Sequence, residues 1–301
     1  TGQALWIPIF NIPYHQKLIG EDREAYMGLA DIHQYPPSKR ALEECDVAIM
    51  VGGRLDNQMN FGNPPLFPRS TQLVCVNGSH EELEMNRPAD HLLLSDPCAF
   101  LDALMALKKG GEWRLGRTWF DANRAWRGEW VEGTLADLKK DTDSAATSGG
   151  KIHPLQLSLD VQAAMGEDDY LVFDGGNTHF WSEIAVNLAG WKGQKLANIL
   201  HPGCFSLLGV GVPLALASKN LHPNSNVVLI SGDGAFLSGG LAIEAAFQEG
   251  LPIVVVIDNN GGLDCISQQQ ERLFASGKHF ATDFRDIPFA ARRDFKSNVA
   301  V

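Results

Sequence analysis

The chain has 301 residues, 45% hydrophobic and 20% charged, with 30 Gly and 15 Pro, a composition that excludes disordered and collagen-like proteins. At roughly 150 residues per domain the length suits two domains, each able to bury its own core. Lys plus Arg number 25 against 36 Asp plus Glu, a net charge of -11. Such a surface repels phosphate backbones and anionic lipid heads, so neither nucleic acid nor a membrane is an expected partner.

Five cysteines, Cys45, Cys75, Cys98, Cys204 and Cys265, are odd in number and far apart, with no C-x-x-C pair that would hold zinc. They read as small hydrophobes in a reducing, cytoplasmic compartment. The start, Thr1-Gly2-Gln3-Ala4, has no basic region followed by a long apolar one, so neither a signal peptide nor an anchor is expected. A chain that opens on Thr and runs at once into Leu5 to Phe10 reads as a piece of a longer protein.

In chain order, short β-rich runs are expected at Leu5 to Phe10, Asp46 to Val51, Gln72 to Val76 and His91 to Leu94, with a helix over Pro37 to Cys45. This alternation describes a parallel α/β domain over residues 1–135. The Trp-rich, charged stretch after Gly110 leads into Asp141 to Gly150, whose polarity predicts a solvated linker over 136–150. A second domain, 151–301, repeats the alternation with strands at Tyr170 to Phe173, Asn226 to Ser231 and Ile253 to Ile257. The last two are continuous β-branched runs, the pattern of strands buried on both faces of a parallel sheet.

The chemistry concentrates in Val227 to Gly234, a helix expected from about Ser238 to Glu249, and the strand Ile253 to Ile257 running into Asp258-Asn259-Asn260-Gly261-Gly262. This is one βαβ unit. Ligands of open parallel sheets collect at the carboxyl ends of strands, and a right-handed crossover brings Asp233 and Asn260 side by side there. Gly232 and Gly234 let the backbone approach a phosphate, and the following helix offers unpaired N–H groups. One carboxylate, one amide oxygen, a backbone carbonyl and two phosphate oxygens compose the hard oxygen site of a magnesium diphosphate. Gly-Asp-Gly alone is a tight turn and Asn-Asn-Gly alone a strand-ending loop; their spacing on one βαβ unit is what points to a metal.

Gly232-Asp233-Gly234 with Asn259-Asn260 resembles the signature of thiamine-diphosphate-dependent enzymes. The resemblance runs along nearly the whole chain, to the acetolactate synthase, benzaldehyde lyase and 2-hydroxyacyl-CoA lyase/oxalyl-CoA decarboxylase branch. It implies an α/β fold of two parallel-sheet, helix-flanked domains, a Rossmann-like middle domain followed by the thiamine-diphosphate-binding domain. The pyrimidine-binding domain would lie outside this sequence. By that resemblance Asp233 and Asn260 ligate Mg2+ through side chains and Gly262 through its carbonyl, while Gly232, Gly234 and Ala235 border the diphosphate. Asn177 and Thr178 would meet the same phosphates. In His201 to Pro213, Leu208 matches the bulky residue beneath the cofactor's two rings, and Ser206 would offer its carbonyl to the aminopyrimidine. The proton relay of the family starts at a glutamate of the pyrimidine-binding domain, so no residue here is assigned as catalytic. The implied activity is cleavage or formation of the C–C bond beside a carbonyl in 2-ketoacids, 2-hydroxyketones or 2-hydroxyacyl thioesters, by a homodimer or homotetramer.

Some residues depart from the pattern. Acetohydroxyacid synthases carry a Trp soon after the Asn-Asn loop where this chain has Gln269, and relatives usually have Glu at the position of Ala242. Gly53-Arg54-Leu55 with Phe61 to Phe67 looks more like the acyl-CoA lyase group than the flavin-binding synthases, and whether the middle domain takes a flavin or a nucleotide stays open. His15, His33 and His179 could border a cleft, although lone histidines are more often structural. A dinucleotide-binding oxidoreductase would need G-x-G-x-x-G, and Gly232-Asp233-Gly234-Ala235-Phe236-Leu237 lacks the third glycine. No Gly-Lys-Ser/Thr ends a glycine loop, which excludes a P-loop. A non-catalytic scaffold that keeps the cofactor is the alternative outside enzymes.

Overall fold

A computed structural model describes residues 5–12, 24–31, 35–109, 116–148, 151–274 and 279–284. The chain divides into two compact units, one comprising 1–148 with 190–194, the other 149–189 with 195–301.

In the first unit β1 (Ile9–Asn11) pairs in parallel with β2 (Tyr26–Leu29). After α1 (Pro36–Glu44) come β3 (Val47–Val51), β4 (Gln72–Asn77), the single turn α2 (His80–Leu83) and β5 (His91–Leu94). These three strands form a parallel sheet in the order β3-β4-β5. Proline opens α1, where its missing N–H costs nothing. Met50, Leu55, Met59, Leu66, Phe67, Leu73 and Leu83 form the core beside the sheet. Just after β3, Arg54 grips Glu82 with two hydrogen bonds, the Nε one at 2.7 Å, and this guanidinium holds the Glu82 carboxyl below its ordinary value.

Helix α3 (Pro97–Lys109) follows, and then α4, a helix of 31 residues (Thr118–Ser148). The linker expected over 136–150 is therefore corrected: residues 136–148 are the last turns of α4. Their polarity reflects exposure rather than disorder, for Leu138 stays buried and the Thr142 hydroxyl returns a hydrogen bond to the Leu138 carbonyl at 2.8 Å. The strand expected from Leu5 shrinks to Ile9–Asn11, and Trp6 adopts φ 54°.

The second unit starts with α5 (Pro154–Ala163) and holds β6 (Tyr170–Asp174), α6 (Asn177–Trp191), β7 (Asn198–Leu200), α7 (Gly211–Leu221), β8 (Val227–Gly232), α8 (Asp233–Gly239), α9 (Ile243–Gln248), β9 (Val254–Asp258) and α10 (Asp264–Phe274). Its four strands are all parallel, in the order β7-β6-β8-β9. Both faces are covered. Leu171, Phe173 and Ile230 pack with Val186 and Ala189 of α6, while Val172, Val227 and Leu229 pack with Val212, Ala215 and Leu216 of α7. Adjacent residues of one strand thus enter opposite cores, which is why these strands read as unbroken apolar runs.

The helix expected from Ser238 begins five residues earlier, at Asp233, and a 3-10 turn at Gly240–Ala242 separates it from α9. Glycines at 234, 239 and 240 argue against a helix by propensity, but here they permit contact: a side chain on Gly239 would collide with the Gly209 carbonyl. Cys45, Cys75, Cys98 and Cys265 are free thiols. Among the described residues no helix is long and apolar enough to cross a membrane.

Leu229 is fully buried between α7 and the sheet, so Leu229→Ala is expected to lower stability by about 2–5 kcal/mol in urea unfolding. Leu241→Ala, at a side chain 93% exposed, should change it by no more than about 0.5 kcal/mol.

Candidate functional site: the carboxyl edge of the second sheet

From β6 the chain crosses to β7 on one side and then to β8 on the other. The carboxyl ends of β6 and β8 therefore flank a topological switch point, where open α/β sheets bind ligands. At this edge β6, β8 and β9 each lead into an aspartate: Asp174 ends β6, Asp233 follows β8, and Asp258 ends β9.

Asp233 is buried, and its carboxylate joins two elements. Oδ1 accepts the Gly234 N–H at 2.7 Å, at the first turn of α8, and Oδ2 accepts the Gly261 N–H at 2.8 Å, in the loop after β9. Burial raises the pKa of this group; the amides of Gly261, Gly234 and Gly262 oppose that, and nearby Asp258 adds to it. In the same loop Asn260 Oδ1 accepts the Gly262 N–H at 3.1 Å. The Leu263 N–H bonds the Thr282 carbonyl at 2.7 Å and the Phe284 N–H bonds the Gly261 carbonyl at 2.9 Å, around a bridge between Gly262 and Asp283. The Gly262 N–H, bonded to Asn260 Oδ1, also bears on the Asp233 carboxylate. The Asp233 carboxylate and the Asn260 amide oxygen thus both engage the backbone of Gly261 and Gly262.

Thr178 donates from Oγ1 to Asp258 Oδ2 at 3.0 Å, tying the start of α6 to the end of β9. Burial pushes the Asp258 carboxyl up, against this bond. Between β6 and α6 the backbone comes close to that of β8: Gly175 has φ 131°, and a Cβ there would lie 3.1 Å from the Gly232 nitrogen. Only glycine meets both demands. Asn177 begins α6 beside this contact, and Ala235 is buried in the first turn of α8.

Asp174 is the organising residue that the sequence reading passed over. Its Oδ2 accepts the Gly211 N–H at 2.6 Å and the Gly209 N–H at 3.0 Å, which fastens the entry of α7 beneath β6. Burial raises its pKa against those amides. A Cβ on Gly211 would lie 2.6 Å from the Asp174 Cβ. Sequence offered one signal, an acid in last position of a buried apolar strand. A second unassigned group is His179, buried, with Nε2 at 3.2 Å from Glu183 Oε1 and its ring edge-on to His201 at 5.1 Å. His201 Nδ1 accepts the Gly203 N–H at 3.1 Å at the start of the loop that carries Ser206 and Leu208. His15 and His33 lie outside the described residues.

The predicted residues therefore fall into two groups. Asp233, Asn260, Gly262, Gly232, Gly234, Ala235, Asn177 and Thr178 share the ends of β6, β8 and β9. Ser206 and Leu208 stand on an exposed loop; Ser206 has φ 48° and Leu208 is 39% exposed. Among the described residues no hydrogen bond links either side chain to the Asp233 group. Gln269, on the exposed side of α10, has Nε2 at 3.8 Å from Cys265 Sγ, and a Cβ on Gly176 would lie 2.7 Å from the Cys265 Cβ. This α10 surface borders the loop after β6.

A doubly wound parallel sheet with glycine turns and hard oxygen donors at its switch point defines a binder of phosphate-bearing cofactors. Two family models match: "Thiamine pyrophosphate enzyme, C-terminal TPP binding domain" over residues 174–293 and "Thiamine pyrophosphate enzyme, central domain" over residues 2–104. The chain belongs to the thiamine pyrophosphate enzyme family and carries its central and cofactor-binding domains. It is 30% identical over 232 residues to the acetolactate synthase large subunit IlvG of Mycobacterium tuberculosis, covering 74% of this chain and 37% of that protein. To the 2-hydroxyacyl-CoA lyase of Arabidopsis thaliana it is 25% identical over 247 residues, 78% of this chain and 40% of the relative. The chain thus spans about two fifths of the curated relatives it matches. Among solved structures, the thiamine diphosphate-dependent 4-hydroxybenzoylformate decarboxylase of Rhodococcus jostii RHA1 shares the fold, with a TM-score of 0.65 and 18% identity over 94% of this chain and 48% of that one.

Removing the Asp174 carboxylate strands the amides of Gly209 and Gly211, the second of them buried. Asp174→Ala is expected to cost about 1–3 kcal/mol in thermal or urea unfolding, and Asp174→Asn, which keeps one acceptor, should restore more than half of it.

Proposed function

We propose that the protein to which this chain belongs is a thiamine-diphosphate- and magnesium-dependent enzyme that makes or breaks the C–C bond beside a carbonyl. Its substrates would be 2-ketoacids, 2-hydroxyketones or 2-hydroxyacyl thioesters. The observation that carries this reading is the hydrogen bond from the Gly261 amide to Asp233, which holds the Asp233 carboxylate against the loop that bears Asn260 and Gly262. Three oxygen donors of three kinds, one of them anionic, suit a small hard cation that keeps phosphate oxygens as its other ligands. A carboxylate offers about four acceptor positions, and the amides of Gly234, Gly261 and Gly262 occupy three of those on Asp233, so it can ligate without giving up its hold on the loop.

In this reading Asp233, Asn260 and the Gly262 carbonyl hold Mg2+. Asn177 and the backbone at Gly232 to Ala235 bind the diphosphate, with Thr178 oriented by Asp258. Leu208 and Ser206 support the rings of the cofactor. Bound thiamine diphosphate supplies a nucleophilic carbon and an electron sink for the charge left by C–C cleavage. This chain supplies position: it fixes the diphosphate end and leaves proton transfer to a glutamate of the pyrimidine-binding domain. The functional unit would be a homodimer or homotetramer in the cytoplasm, with a small carbonyl compound as its other partner.

The named relatives include both acetolactate synthases and 2-hydroxyacyl-CoA lyases. Gln269 favours the lyase as the second reading, since an amide beside Cys265 on α10 stands where the synthases carry a Trp. Calorimetric titration with thiamine diphosphate, with and without magnesium, tests the cofactor. Wild type should bind only with magnesium. Asp233→Ala should lose that binding by at least about 100-fold, or ~2.7 kcal/mol, while its circular dichroism stays unchanged; unaltered affinity in this variant would remove the site assignment. Turnover of pyruvate to acetolactate would then select a synthase, and cleavage of a 2-hydroxyacyl thioester a lyase.

A further inference from the structure

We infer that the first unit carries a second binding site, for a small organic anion: a phosphate or carboxylate group borne on a flat apolar body. The site is a cavity of about 350 Å3 whose walls come from the segment 61–69, which leads into β4, and from 86–88, which leads into β5. Both segments precede their strands. The cavity therefore lies at the amino edge of the sheet β3-β4-β5, whereas the ligand crevice of a parallel sheet lies at the carboxyl edge. The inference does not depend on the thiamine diphosphate reading.

Charge is the first argument. In a chain of net charge -11, this cavity is lined by two guanidinium groups, Arg69 and Arg87, and by no carboxylate. Arg87 is built into the wall: Nη1 donates to the carbonyls of Gly62, Phe67 and Pro68 at 3.3, 3.1 and 3.2 Å, and Nη2 to that of Thr71 at 2.9 Å. These dipoles orient the group without cancelling its charge. Arg69 is exposed, and among the described residues neither arginine forms an ion pair with a carboxylate. A planar fork beside a fixed positive charge is the arrangement that recognises phosphate and carboxylate.

Shape is the second. Phe61, 45% exposed, and the rings of Pro64 and Pro88 give the cavity an apolar side. The backbone at this rim is held in unusual conformations: Asn60, Phe61 and Asn86 adopt φ of 49°, 54° and 66° without being glycine. The Asn86 side chain is fixed by a 2.6 Å bond to the Leu55 carbonyl, and that of Asn60 by one of 3.1 Å to the Asn63 carbonyl. Such conformations survive only where neighbours enforce them, and they cluster at ligand clamps. Phe61, one of these residues, lines the cavity together with Arg69.

The test is calorimetric titration of the protein with phenyl phosphate, benzoate, inorganic phosphate and benzyl alcohol, each with and without thiamine diphosphate and magnesium. Phenyl phosphate or benzoate should bind saturably in both conditions, and the stronger of the two identifies the anion. Inorganic phosphate should bind at least about tenfold more weakly, and benzyl alcohol should not bind. Arg69→Ala, at an exposed position, should keep its melting temperature and lose at least about tenfold in affinity for both aromatic anions. Phe61→Ala should bring phenyl phosphate to the affinity of inorganic phosphate and leave the latter unchanged. Wild-type protein that binds neither aromatic anion, or an Arg69→Ala protein that binds them as tightly as wild type, overturns the inference.

Discussion

The second unit depends on a buried charge that the backbone of two separate loops has to satisfy. A carboxylate moved out of water destabilises a protein unless donors replace its solvation, and Asp233 finds them in the amides of Gly234 and Gly261. Because Gly261 follows β9 and Gly234 lies in the first turn of α8, satisfying the charge fixes the loop after β9 against the helix that follows its neighbour β8. Burial still leaves the Asp233 carboxyl with a raised pKa. A cation at this point would lower that pKa and relieve the remaining cost, which is the electrostatic sense of the proposed metal site.

The same device recurs along the edge. Asp174 uses its carboxylate to hold the Gly209 and Gly211 amides, Asp233 to hold Gly261, and Asp258 to accept from Thr178. Each aspartate stands at the exit of a parallel strand and engages a different connection, so the loops around the switch point are cross-tied by the chain's own groups. Glycines make the ties possible. At Gly175 the positive φ and the close approach to Gly232 leave no room for a side chain, and at Gly211 the Asp174 side chain occupies the space a Cβ would need. Pre-organisation of this kind reduces the ordering cost of binding a flexible diphosphate.

Much of this was legible in sequence because it is local. The apolar runs of β6, β8 and β9, the Gly-Asp-Gly turn and the Asn-Asn loop are contiguous, and chain topology alone brings the last two together. What stayed hidden depends on distant partners. The role of Asp174 requires Gly209 and Gly211, thirty-five and thirty-seven positions on, and that of Asp258 requires Thr178, eighty positions back. The short strands β2 (Tyr26–Leu29) and β7 (Asn198–Leu200) gave too few residues for a period to register. The end of α4 was misread because exposed helical turns and solvated linkers share a composition, and the start of α8 because its glycines serve contact with Gly209 rather than chain flexibility.

The most direct measurement is anomalous X-ray diffraction from crystals of the protein grown with thiamine diphosphate and Mn2+, which replaces Mg2+ and scatters strongly. The expected result is a single anomalous peak within about 2.0–2.3 Å of an Asp233 carboxylate oxygen, Asn260 Oδ1 and the Gly262 carbonyl oxygen, next to the diphosphate. A cofactor bound with its metal elsewhere, or an Asp233 carboxylate still facing only the Gly234 and Gly261 amides with no metal beside it, would contradict the central claim.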